Sequence, residues 1–164
     1  MKYTDVQIGF QEFPDEISLL INISNCPFKC KGCHSPELWN DVGEELTYTK
    51  LDELINNSHG ITCVGFMGGD SNPRYINALA FYIYMNYPNL KVGWYSGKDS
   101  FSKDIEPEWF NYIKTGPYIE ELGGLNSPTT NQKLFKKERV SLESGETTYE
   151  WINITNKFWK HGNK

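Results

Sequence analysis

Apolar residues recur along this chain at two spacings, and each spacing predicts a different element. Residues 17–23 (ISLLINI) are rich in β-branched side chains and bounded by polar groups, which predicts a strand. Residues 25 to about 39 carry too much Pro, Gly and Lys for regular structure. Residues 49–57 place Leu51, Leu54 and Ile55 at helical spacing, and residues 61–67 (ITCVGFM) read as a buried strand running into Gly68-Gly69-Asp70. Asn72 followed by Pro73 is a capping side chain and then a proline suited to a first helical turn. Ile76, Leu79, Ala80 and Ile83 form one face of that helix, and Pro88 ends it. A third strand is predicted over 91–95, closed by Ser96-Gly97, then a short helix over 107–113 and a strand over 115–119. Residues 123–130 are loop-like, and 133–140 with 149–158 alternate as a hairpin does. Strands and helices taking turns predict an α/β class with parallel strands and a C-terminal β extension.

At 164 residues the chain is one ordinary domain, about half of what a closed (β/α)₈ barrel needs. The expected division is a single domain over 1–159 and a solvated tail over 160–164 (KHGNK). The 38% apolar content is well clear of the disordered regime. A formal charge of −5 argues against a nucleic-acid binder, whose footprint is basic. No apolar run approaches the roughly 18–20 residues of a membrane span, and the opening MKYTDVQIGF lacks a signal peptide's apolar stretch. The expectation is a cytoplasmic protein with reduced cysteines, without nucleic-acid or membrane partners.

Three of the four cysteines, Cys26, Cys30 and Cys33, form a CxxxCxxC on the loop leaving the first predicted strand. A structural zinc ion would want a fourth ligand there, with His34 or Cys63 as local candidates. An iron–sulfur cluster usually takes four thiolates too. A cubane on three thiolates would instead keep one iron open, as a substrate-binding metal site requires. Cys63 sits inside the apolar 61–67 segment, where cysteine behaves as a small buried hydrophobe.

The CxxxCxxC after a first strand resembles the radical S-adenosylmethionine (SAM) superfamily signature. Gly68-Gly69-Asp70, one β-α unit later, is similar to that superfamily's GGE/GGD motif. Cys30-Lys-Gly-Cys33-His34 with Leu38-Trp39, the VGWYSGKD of 92–99, and YIKTGPYIEELGGL of 112–125 followed by Asn131-Gln132-Lys133 resemble one family within it: the anaerobic ribonucleoside-triphosphate reductase activating enzymes. The likeness spans residues 10 to 140 or so. It implies an incomplete (βα) barrel and a [4Fe–4S] cluster on Cys26, Cys30 and Cys33. It also implies S-adenosyl-L-methionine chelated at the open iron and cleaved reductively to a 5′-deoxyadenosyl radical, which makes a glycyl radical on the partner reductase. Gly32, Cys33, His34, Gly68, Gly69, Asp70, Tyr95 and Ser96 would line SAM, and a flavodoxin or ferredoxin-type protein would donate the electron. His34 serves equally as a hydrogen-bonding residue of the loop, and 95–97 as a plain strand end. The chain departs from the superfamily pattern at Gly32, where most members have an aromatic residue but the activating-enzyme subgroup does not, at Ser71 in place of proline, and from the subgroup at Lys133 in place of arginine. Two other readings are radical SAM chemistry on a small molecule and a non-catalytic zinc or Fe–S interaction module.

Overall fold

The computed structural model describes residues 1–159, so the tail expected over 160–164 lies outside the described residues. Eight strands form one mixed sheet: β1 (Lys2–Gly9), β2 (Ser18–Ile23), β3 (Glu44–Glu45), β4 (Cys63–Met67), β5 (Lys91–Tyr95), β6 (Tyr112–Thr115), β7 (Lys133–Ser141) and β8 (Thr147–Asn153). Their order across the sheet is β3-β1-β2-β4-β5-β6-β7-β8. The central four, β2, β4, β5 and β6, run parallel. β1 and β7 flank them antiparallel, and β3 and β8 add antiparallel margins.

Alternation along the parallel strands sorts side chains into two cores. Leu19, Ile21, Ile23, Val64, Phe66, Val92, Trp94 and Ile113 face two helices, α1 (Tyr48–Asn56) and α2 (Pro73–Asn86). Thr47 caps α1 by accepting from Lys50 N at 3.1 Å, and Asn72 Oδ1 caps α2 by accepting from Tyr75 N at 3.2 Å. Leu51 and Ile55 of α1, and Ile76, Leu79, Ala80 and Ile83 of α2, are the buried stripes. The opposite face carries Leu20, Cys63, Tyr112 and Leu134 under Phe13, Leu125 and Ile154. Phe13 is fully buried, and its ring rests where Gly65 and Gly93 pair in register on β4 and β5. A Cβ on either glycine would collide with that ring.

The incomplete (βα) barrel expected above does not form. Among the described residues only two α-helices stand against eight strands, and antiparallel strands rather than further βα units extend the sheet on both sides. The physical reason lies in the connections. Residues 98–106 carry Lys98, Asp99, Ser100, Ser102, Lys103 and Asp104, and their one apolar pair at helical spacing, Phe101 and Ile105, is too short a stripe to hold a helix on the sheet. Their polar groups tie locally instead, Ser102 Oγ accepting from Asp104 N at 3.2 Å. The helix expected over 107–113 shrinks to a 3₁₀ turn, Pro107–Trp109. Asn111 Oδ1 then accepts from Val92 N at 2.9 Å, drawing the chain alongside β5, and β6 starts at Tyr112, earlier than the strand expected over 115–119. β1 and β3 were not anticipated.

Candidate metal centre

The four parallel strands end on one side of the sheet, and the chain leaves each of them there: β2 into the cysteine loop, β4 into Gly68-Gly69-Asp70, β5 into Ser96-Gly97-Lys98 and β6 into Gly116. Carboxyl ends of parallel strands are where such sheets place ligand sites. Asn25 opens the cysteine loop with a positive φ of 63°, and Lys29 (46°) and Gly32 (72°) turn it again. Backbone bonds from Asn25 N to Asn40 O (3.0 Å) and from Cys26 N to Leu38 O (2.9 Å) close its base. Cys33 N donates to Cys30 O at 3.1 Å, and Cys33 Sγ accepts from Ser35 N at 3.4 Å. Cys26, Cys30 and Cys33 are free and half-buried, while Pro27, Phe28, Lys29, Lys31, Gly32 and His34 around them lie open to solvent.

Two neighbouring loops close on this one, and a third braces them. Phe28 packs over Gly97, where a Cβ would meet its ring, and Gly32 abuts Glu120, whose carboxylate lies 3.7 Å from Lys31 Nζ. Asp70 ties the β4 and β5 ends together: its Oδ1 accepts from Ser96 Oγ at 2.5 Å and its Oδ2 from Gly97 N at 2.9 Å. Burial raises the Asp70 carboxyl above its ordinary range, opposed by those two hydrogen bonds and by Lys114 and Lys98. Gly68 and Gly69, with φ of 101° and 100°, take a conformation that a side chain would resist, and Trp94 Nε1 holds the turn by donating to Gly68 O at 2.8 Å.

Lys114 lies at the centre of this end. It is buried, its Nζ donates to Gly116 O at 2.6 Å and to Ser96 O at 3.3 Å, and it stands 5.9 Å from the centroid of the Tyr95 ring. Burial draws its ammonium down to about 8, countered by the negative charge of Asp70, Cys30 and Cys26. One buried cation therefore faces both the thiol loop and the acidic end of the glycine turn. The sequence reading did not single it out, although a lysine inside the apolar YIKT strand is itself a signal, since buried lysine is rare unless paired.

The expected site residues divide by location. Cys26, Cys30, Cys33, Gly68, Gly69, Asp70 and Ser96 share this end. Tyr95 sends its hydroxyl away, to Glu12 O at 2.6 Å, and stacks edge-on against Phe13 at 5.3 Å. His34 is exposed and meets Tyr118 edge-on at 5.2 Å. Cys63 begins β4 opposite Ser18, a full strand length from the loop, and burial pushes its thiol up to about 12.

Among the described residues no three His, Cys, Asp or Glu side chains close on a single point that would hold one metal ion. The donor set, three free and half-buried thiols on one loop, fits a cubane, in which each thiolate takes its own iron corner. The sulfur-directed N–H of Ser35 and the Lys114 ammonium fit the negative charge such a thiolate-bound cluster carries. Among the described residues no helix is long and apolar enough to cross a membrane. A family model described as a 4Fe-4S single cluster domain matches residues 17–114, which run from before β2 through Lys114 and cover over half of the chain. No curated protein and no solved structure matches.

Proposed function

The chain belongs to the 4Fe-4S single cluster domain family, and from that premise we propose that it is a radical SAM activase. It holds a [4Fe–4S] cluster on Cys26, Cys30 and Cys33, reductively cleaves S-adenosyl-L-methionine, and generates a glycyl radical on a partner anaerobic ribonucleoside-triphosphate reductase. The observation that carries this reading is the separation of the fourth thiol: Cys63 is buried at the far end of β4, so the loop offers three thiolates for four irons.

A reduced cluster with one open iron supplies, when bound, the electron that breaks the sulfonium bond of chelated SAM. This chain's own residues bind and orient. Asp70, pinned by Ser96 Oγ and Gly97 N, presents a fixed carboxylate to the amino group of SAM. Lys114 offers a buried ammonium to a carboxylate between Asp70 and the cysteine loop. The side-chain-free turn at Gly68 and Gly69 lets a ligand approach the backbone. The loop itself stands open, which suits a substrate that is a protein segment and covers the site when it docks. Exposed Lys29 beside the thiols suits an acidic flavodoxin or ferredoxin-type donor.

The test is anoxic activation. Reconstituted protein, SAM, a reductant and the candidate reductase should yield a glycyl-radical EPR signal and an active reductase. SAM cleavage without that radical would redirect the reading to a small-molecule substrate, and an absence of SAM cleavage would leave only the Fe–S domain.

A further inference from the structure

A cleft of about 450 Å³ opens where the start of β7 meets the end of β8, with Gln132, Lys133, Asn153, Asn156 and Trp159 in its lining. That volume suits a small-molecule ligand. Strands β4, β5 and β6 separate it from β2, which feeds the cysteine loop. Its walls are fixed from behind. Gln132 N donates to Thr130 Oγ1 at 3.1 Å, Thr130 Oγ1 donates to Gly123 O at 3.1 Å, and Asn131 Nδ2 donates to Pro117 O at 2.9 Å. On the other wall Asn153 Oδ1 accepts from Thr155 N at 3.0 Å and from Thr155 Oγ1 at 2.5 Å.

Those bonds leave a set of polar ends unused. Gln132 is only 8% exposed, yet its side-chain amide makes no hydrogen bond among the described residues. Buried amides are normally paired, so one held open at a cleft wall calls for a partner from outside. Trp159 Nε1 is likewise buried with no partner among the described residues. The charge is as one-sided as the donors. Residues 122–137 and 151–159 contain no Asp or Glu, in a chain whose net charge is −5. Of the lysines there, Lys136 pairs with Glu138, Lys157 pairs with Asp15, and Lys137 donates to Glu108 O. Lys133 has no such partner among the described residues, and it stands at the cleft.

We propose that this cleft binds an adenine nucleotide. A carboxamide offers a donor and an acceptor side by side, which matches the N6 and N7 edge of adenine, and Gln132 holds such an amide ready. The Trp159 indole gives a base a face to stack on. The Lys133 ammonium takes the phosphates, and the carboxylate-free surroundings let an anion approach. A bare anion would satisfy the lysine and leave the buried amide unexplained. The cleft is distinct from the end of the sheet that carries the cysteine loop, so this inference is independent of the proposed reaction.

Isothermal titration calorimetry of the full reconstituted chain with ATP tests it. ATP should bind once per chain, with GTP and inorganic triphosphate each about tenfold weaker or more. Gln132→Leu should weaken ATP by about tenfold or more. The urea midpoint of that variant should hold or rise, because no internal hydrogen bond is lost and an unpaired amide leaves the interior. Lys133→Met should weaken ATP and leave the affinity for adenosine unchanged. SAM also carries adenine, so Asp70→Asn, at the cysteine-loop end, is the control and should bind ATP as the wild type does. An absence of ATP binding would overturn the proposal, as would inorganic triphosphate binding as tightly as ATP. It would equally fall if Asp70→Asn lost ATP while Gln132→Leu kept it, or if Gln132→Leu lowered the urea midpoint, which would make the amide a part of the fold.

Discussion

Replacing Cys63 by alanine tests, in one variant, whether this thiol is packing or ligand. The side chain is fully buried at the start of β4. Truncation removes one sulfur's worth of contact, a loss of about 1 kcal/mol at neutral pH. The pH dependence is more diagnostic. In the unfolded chain the thiol loses its proton near 9.0, whereas burial in the folded chain raises that to about 12. Between those values the unfolded state binds fewer protons, so the stability Cys63 contributes is complete below pH 9 and declines as pH rises. At pH 10.5 the unfolded thiol sits 1.5 units above its own pKa, which at about 1.4 kcal/mol per unit is a loss of about 2 kcal/mol. The wild-type protein should therefore be the more stable one at pH 7.5 and the less stable one at pH 10.5. Urea unfolding of reduced, metal-free protein at both pH values measures this, and the tyrosines common to both proteins cancel in the difference. A difference that does not move with pH would mean that Cys63 is solvated, and a Cys63→Ala protein that fails to take up iron would mean that it is a ligand.

Three further outcomes follow from the same geometry. Lys114→Met should raise the KM for SAM about 10–100-fold, the equivalent of a charge-assisted hydrogen bond of about 1.5–3 kcal/mol; an unchanged KM in a steady-state cleavage assay would remove Lys114 from the site. Asp70→Asn keeps an acceptor for Gly97 N but discards the charge, so titration calorimetry should show SAM binding weakened about tenfold with the urea midpoint retained. Gly93→Ala should destabilise by about 1–3 kcal/mol through collision with Phe13 and Phe13→Ala by about 3–5 kcal/mol, while the double variant loses less than their sum. Strict additivity in urea unfolding would show that the ring does not rest on these glycines.

Much of the parallel core was legible because its elements carry strong local signals. β5 occupies 91–95 as the alternation indicates, and α2 begins where Asn72 and Pro73 place it. The overall class was misjudged where local signals are weak. β1 escapes notice because its apolar residues are exposed on an edge rather than buried, and β3 is two glutamates long. The 107–113 segment has a helical start in Pro107, yet tertiary pairing with β5 takes over at Asn111. At the site, the cysteine spacing and the glycine turn could be read directly. Lys114 and Phe28 could not be assigned, because their significance rests on neighbours 44 to 88 residues away for the one and on Gly97 for the other, which only the fold brings together.

The central claim is a three-thiolate cubane with one corner left to SAM, and EPR of the anaerobically reduced chain with and without SAM tests it most directly. The wild-type protein should hold about four irons and give a reduced-cluster signal that changes when SAM is added. Cys63→Ala should behave the same, while Cys26→Ala, Cys30→Ala and Cys33→Ala should each lose the signal. A wild-type spectrum indifferent to SAM, or full iron loading in any of those three variants, would contradict the account.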